Sequence, residues 1–378
     1  MKKTTAILLL LMMSALAAAG VCDMNYDLAS PYVTYTKTEG GSMPVLLDPA
    51  DMAAADDAEE ENAQEDTADV WPKTFTITVT GDTTLGSTDD LRKRDDCFEN
   101  VYAEKGAGWF FSGTRDLFES DDMTLVNFEG TITEAEGKKE KKFNFKAPAE
   151  YVDILTLGSV GAANIANNHI VDYGDQGEAD TIAALEGADI VASGNGRLGI
   201  FEKNGVKVGM TGYCFPYTDG RKDISKDVKA LREAGCQIVV ASFHWGSEYR
   251  EDFTRDQRNI GRAAIKAGAD IVVGHHPHIV QGIEAYEDTY ILYSLGNFVF
   301  GGNVDPDDRD AYAARLTFTV YEDRCDAPEV TIVPLRLTEL ADGTDYRPVI
   351  AEGEEAERIV SRILKRSVNM DDFENGVW

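Results

Sequence analysis

Three of the chain's five histidines fall in one pentapeptide, Gly274-His275-His276-Pro277-His278. The other two are His169, in Asn167-Asn168-His169, and His244, in Phe243-His244-Trp245-Gly246. Each motif follows an apolar, strand-like run such as Ile271-Val272-Val273. Neutral imidazole is the commonest side-chain metal ligand and the usual proton carrier near neutral pH. Oxygen donors stand at similar strand ends: Asp82 in Gly81-Asp82-Thr83-Thr84, Glu129 in Phe128-Glu129-Gly130, and Asn168. The donor set is therefore Asp82, Glu129, Asn168, His169, His244, His275, His276 and His278, from five separate segments and without a thiolate. Mixed carboxylate, amide and imidazole ligation suits Mn²⁺, Fe or Zn²⁺ rather than Ca²⁺ or a closed structural zinc. A carboxylate bridging two ions about 3.5–4 Å apart generates a hydroxide and clamps a phosphoryl oxygen. His276 and His278, flanking Pro277, have the spacing for one imidazole to reach each of two metals. A lone histidine is commonly a satisfied core or surface residue; all five at strand ends argue for one site.

Those donors need a scaffold that gathers strand ends. Residues 75–80, 123–128, 160–166, 189–192, 206–213, 237–242, 270–273 and 290–293 read as strands, being β-rich and either alternating or continuously apolar. Helical segments fall between them at 112–120, 150–157, 180–186 and 228–234, and from a Thr254–Gln257 capping box to Lys266. The order helix, Gly, strand, His occurs twice, from Gly235 to His244 and from Gly268 to His275. This rhythm predicts an α/β fold, with helices on the faces of a sheet. Ligands in such sheets gather at the carboxyl ends of the strands. A late hairpin over 313–320 and 329–338 and a terminal helix over 354–368 complete the expected elements.

The formal net charge is −31 and the pI about 4.4. No basic face for nucleic acid is consistent with that balance. Residues 1–22 read as a secretory signal, with Lys2 and Lys3 before an apolar run from Ala6 to Ala19. Ala19-Gly20-Val21-Cys22 resembles a bacterial lipobox, with Val21 where Gly, Ala or Ser is usual. The expectation is an extracytoplasmic protein held at the membrane by lipid on Cys22, with plain cleavage after residues 17–19 and secretion as the alternative. Nine acids and no base lie between Asp51 and Asp69, so residues 23–73 read as an acidic, disordered tether. The spacing of Cys97, Cys214, Cys236 and Cys325 matches no CxxC pair, and Cys214 and Cys236 read as buried free thiols.

The series GDTTLG, NFEGTIT, ANNHIVDYG, FHWGSEY, GHHPHIVQGIE and YSLGNFVF, over roughly residues 74–302, resembles the CapA or poly-γ-glutamate capsule synthesis family. That family is related to the calcineurin-like metallophosphoesterases. The resemblance implies a metallophosphatase-like αββα sandwich of two sheets flanked by helices, covering residues 74–340, with a C-terminal helix and tail over 341–378. It further implies two divalent ions, Mn, Fe or Zn, on Asp82, Glu129, Asn168, His244, His276 and His278. His169 is the implied catalytic residue, contacting phosphate or protonating the leaving group. Asn167, His275, Asn297 and Trp245 are the expected substrate contacts. Thr84 stands where the phosphoesterases carry a further histidine, which bears on activity. The expected partners are an anionic capsule polymer or a phosphoester, and membrane proteins of capsule synthesis. Two roles follow: a metal-dependent hydrolase, or a non-catalytic polymer-binding component of the synthesis complex. Lys138, Lys139, Lys141, Lys142 and Lys146 read either as a solvated loop or as a basic groove for such a polymer.

Overall fold

The computed structural model describes residues 70–216 and 220–367, together with the backbone of two strands at 32–38 and 41–47. The signal segment, Cys22, the acidic run 51–69 and the tail from 368 lie outside the described residues. In chain order the strands are β1 (Tyr32–Thr38), β2 (Gly41–Leu47), β3 (Lys73–Thr84), β4 (Met123–Phe128), β5 (Thr131–Ile132), β6 (Lys146–Ala147), β7 (Val160–Asn164), β8 (Val191–Ser193) and β9 (Gly199–Lys203). Then come β10 (Val206–Cys214), β11 (Ile238–His244), β12 (Ile271–His275), β13 (Ile283–Tyr286), β14 (Thr289–Leu292), β15 (Asn297–Phe300), β16 (Asp310–Val320), β17 (Glu329–Arg336) and β18 (Val349–Ile350). The α-helices are α1 (Phe98–Lys105), α2 (Arg115–Glu119), α3 (Val152–Leu157), α4 (Gly174–Gly187), α5 (Gly220–Glu233), α6 (Arg255–Lys266) and α7 (Gly353–Arg366).

Two sheets carry the fold. One has ten strands, in the order β2-β1-β17-β16-β3-β4-β7-β8, with β15 on β3 and β18 on β17. The other has six, in the order β13-β14-β12-β11-β10-β9. Strands β3, β4, β7 and β8 run parallel, as do β10, β11, β12 and β14. Alternation assigns each side chain a layer. On β11, Ile238 and Val240 join the core between the sheets, whereas Val239, Ala241 and Phe243 join the outer core. On β4, Leu125 points to the inner core and Val126 and Phe128 to the outer one. Each such aliphatic, fully buried, contributes roughly 1.5–3 kcal/mol. The result is the expected αββα sandwich.

Helix α6 begins at the expected capping box: Thr254 Oγ1 accepts from the Gln257 amide (3.1 Å) and Gln257 Oε1 from the Thr254 amide (2.8 Å). Helix α7 buries Ile359, Val360 and Ile363, and Arg362 Nη1 bonds Asp308 (2.8 Å) and Asp310 (2.6 Å). One expectation changes. Strands β1 and β2 fall inside the stretch read as a disordered tether, and β1 pairs antiparallel with β17, Val33 opposite Ile332. Tyr32-Val33-Thr34-Tyr35-Thr36 is rich in β-branched and aromatic residues, which favours a strand. The acidic run further on outweighed that signal.

Candidate metal centre

The inner layer turns polar at the carboxyl ends of the parallel strands. Glu129, His244 and His275 follow the inward alternation of their strands, and a register shift in β3 between Val79 and Asp82 brings Asp82 to the same side; all four are 0–2% exposed. Gly81 lets Asp82 in: a Cβ there would meet the Gly296 carbonyl oxygen at 2.1 Å, and the Asp82 amide donates to that same oxygen at 3.0 Å. His276 would face outward on a regular strand. Its φ of +96°, and +59° at His278, turn the segment back over the site, a strained backbone of the kind that collects at functional centres. The His276 amide donates to Asp82 Oδ2 (3.2 Å), which holds the turn in place.

Glu129 lies at the centre of the imidazoles. Its Oε1 is 3.7 Å from His244 Nε2, 3.8 Å from His169 Nε2 and 3.9 Å from His278 Nε2. Asp82 Oδ2 is 3.1 Å from His278 Nδ1, and Asp82 Oδ1 is 3.6 Å from His275 Nδ1. Two groups of donors have ligand atoms all within 4.8 Å of one another: Glu129, His276 and His278, and Asp82, Glu129 and His244. Both Glu129 oxygens, Asn168 Oδ1, His244 Nε2, His275 Nδ1 and His276 Nδ1 are buried without a hydrogen-bond partner. Buried polar atoms are normally satisfied, and this cluster of acceptors and imidazole nitrogens is what a divalent cation satisfies. The residues therefore fit the ions that the sequence implies.

The electrostatics agree. Burial pushes Glu129 well above the usual carboxyl range, with Asp82 and other acids adding to the shift against His278. Burial lowers His275 and His276 to about 4 and His244 well below its ordinary value. These three imidazoles are neutral at pH 7, the form a metal takes. Burial opposes ionisation of Asp82 and protonation of His278, but their hydrogen bond and charges prevail, lowering the first and raising the second. The single Nδ1–H of His278 is shared between two acceptors, Asn297 Oδ1 (2.8 Å) and Asp82 Oδ2 (3.1 Å), which leaves Nε2 facing Glu129.

His169 is set apart from the other imidazoles. Its Nδ1 lies 2.8 Å from Asp172 Oδ2, and Lys141 Nζ pairs with the same buried carboxylate while bonding the Asn168 carbonyl (2.9 Å). With Nδ1 donating to Asp172, Nε2 is left as the basic nitrogen, on the side of Glu129. Burial lowers the His169 pKa, the first of its causes, and so favours the neutral base. Asp172 entered the sequence reading only as part of a motif, and Lys141 only as one of a cluster. Lys138 pairs with Asp89 and Lys146 Nζ donates to the Ala135 carbonyl (3.2 Å).

Three expected substrate contacts do other work. Trp245 follows the outward alternation of Phe243, is fully buried, stacks on Phe243 (4.8 Å) and donates to the Tyr293 carbonyl (3.0 Å). Asn167 donates to the Phe128 carbonyl (2.7 Å) and accepts from the His169 amide (3.0 Å), so it sets the loop that carries His169. His275 faces Asp82 from within the protein. Asn297 adjoins the centre, behind His278. Thr84 is buried on β3 with an unpartnered hydroxyl, two residues beyond Asp82.

The model of the bacterial capsule synthesis protein PGA_cap family matches residues 76–302, which contain every donor of this centre. The chain belongs to that family. Among similar curated proteins, the PGA biosynthesis protein CapA of Bacillus subtilis is 35% identical over 227 residues, covering 53% of this chain and 59% of the relative. The capsule biosynthesis protein CapA of Bacillus anthracis is 30% identical over 255 residues, 60% of each. A probable polyglutamine synthesis accessory protein of Mycobacterium tuberculosis is 29% identical over 210 residues, 47% of this chain and 55% of the relative. The chain thus spans less than two thirds of the length of these relatives.

Proposed function

We propose that this protein acts in the synthesis or export of poly-γ-glutamate capsule polymer as an exported, envelope-tethered component with a metal-dependent hydrolase site. The observation that carries the hydrolase reading is the set of orphaned donors around Glu129, with His169 beside it on a different support. Divalent ions held by Asp82, Glu129, Asn168, His244, His276 and His278 would polarise a phosphoryl or similar oxygen and lower the pKa of bound water. Asp172 orients His169, which exchanges a proton with the attacking water or leaving group at Nε2. Phe145, with its ring 4.6 Å from that of His169, and Phe300, 5.0 Å from that of His278, help exclude bulk water from the reacting groups. The family membership and the names of the two Bacillus relatives support the capsule role.

Thr84 favours a second reading. With no histidine there, the Asp82 side of the centre has fewer donors, and a site of that kind suits binding of an anionic polymer without cleavage. One assay separates the two. With added Mn²⁺, wild type and His169→Ala are compared for metal content and for hydrolysis of an aryl phosphodiester. The hydrolase reading expects metal in both and turnover in wild type alone. Turnover unchanged in the variant removes His169 from the mechanism, and metal without turnover in either leaves the binding role.

A further inference from the structure

The ten-stranded sheet carries a row of buried polar side chains that links Asp82 to residues given no role by their motifs. Register pairs Asn297 with Asp82, Asp82 with Asn127, Asn127 with Asn164, and Asn164 with Ser193, across β15, β3, β4, β7 and β8. Asp82, Asn127 and Asn164 are completely buried. Asn127 Nδ2 donates to Asp82 Oδ1 (2.8 Å), and Asn127 Oδ1 accepts from Asn164 Nδ2 (2.8 Å). The amide orientation is dictated by Asp82, whose carboxylate only accepts. The same Nδ2 lies 3.4 Å from His244 Nδ1, on the other sheet. Asn164 is held in turn by lack of room. A Cβ on Gly212 of β10 would lie 2.0 Å from its Oδ1, and one on Gly194 would lie 2.7 Å away. Two glycines, one of them on the opposite sheet, thus make the slot that fixes the Asn164 amide.

We propose that Asn164 and Asn127 form a positioning relay, through which the contact between the sheets sets the Asp82 carboxylate beside His244 for metal binding. The inference rests on the metal reading above. A fully satisfied chain of buried amides is rigid, because breaking any link leaves an unpaired polar group in a low-dielectric interior. Groups that orient metal ligands from behind typically change affinity by about 10–100-fold when removed.

The test is a titration of the whole protein with Co²⁺ alone, read by its visible absorption bands and by the dissociation constant. Wild type is compared with Asn127→Leu, which keeps the volume without the donors, and with Asn127→Asp, which sets an acceptor against Asp82. Val126→Ala, the outward-facing neighbour in the outer core, serves as the control for lost packing. The relay expects both Asn127 variants to bind Co²⁺ about 10–100-fold more weakly with altered bands, and Val126→Ala to lower the melting temperature with affinity and bands unchanged. If Asn127→Leu does not fold, Asn127→Asp carries the comparison. Wild-type affinity and bands in the folded Asn127 variants would overturn the relay while leaving the metal site standing. Absence of Co²⁺ binding by wild type would overturn the metal reading and the relay with it.

Discussion

At the carboxyl ends of β3, β4 and β7, the ten-stranded sheet offers oxygen: Asp82, Glu129 and Asn168. Strands β11 and β12 of the six-stranded sheet lead to nitrogen: His244, His276 and His278. The two sides are held by different means. Asp82 sits in a hydrogen-bonded row just past a register shift in β3, whereas His276 and His278 depend on left-handed backbone at φ +96° and +59°. Carboxylates alone would favour a hard ion such as Mg²⁺ or Ca²⁺, and imidazoles alone a softer one. Among the described residues, carboxylate and imidazole donors come together where the sheets meet, and Glu129 is the group that faces both.

Substitutions can break that convergence in graded steps. Removing the shared carboxylate should have the largest effect: Glu129→Ala is expected to abolish measurable metal binding, by more than the roughly 100-fold upper range for groups that merely support ligands. Metal analysis after dialysis against Mn²⁺ checks this. His169→Ala should leave metal content intact and lower turnover of any hydrolysed phosphoester by roughly 10²–10⁴-fold, the usual contribution of a positioned acid or base. Acidity should act on both sheets in one direction. Glu129 and His278 have raised pKa values in the metal-free protein, so each holds a proton that a cation must displace. Metal affinity is then expected to rise from pH 6 to pH 8, by up to about tenfold per unit for each proton released; calorimetry at the two pH values measures it. The smallest effect belongs to the scaffold alone. Thr254→Ala removes the cap of α6 and should cost about 1 kcal/mol in denaturant unfolding while leaving metal affinity unchanged.

Much of this arrangement was legible in the sequence because the donors end strands, and strand alternation is a strict period of two. The same rule could have placed Trp245, which shares its parity with Phe243 and so had to face the outer core beside Tyr293. His276 broke the rule through its backbone, and no pattern of residue types announces a positive φ at a histidine. Asn127 opened the NFEGTIT motif with no role attached, and Asn164 lay in a run that read simply as a strand; their role appears only when register sets them in one row with Asp82. Asp172 was visible in its motif, but its contact with His169 depends on the turn over 169–172, closed by the Asp172 amide on the His169 carbonyl (3.1 Å). Helix α1 escaped notice because it is short and its first residue, after Cys97, has no side-chain cap.

Crystals of the protein soaked in Mn²⁺ and measured at the manganese absorption edge give the most direct test of a centre shared by the two sheets. Convergence of the donors predicts anomalous density touching a Glu129 oxygen and a nitrogen of His244, His276 or His278. Density confined to surface acids, with none beside Glu129 at saturating Mn²⁺, would contradict it.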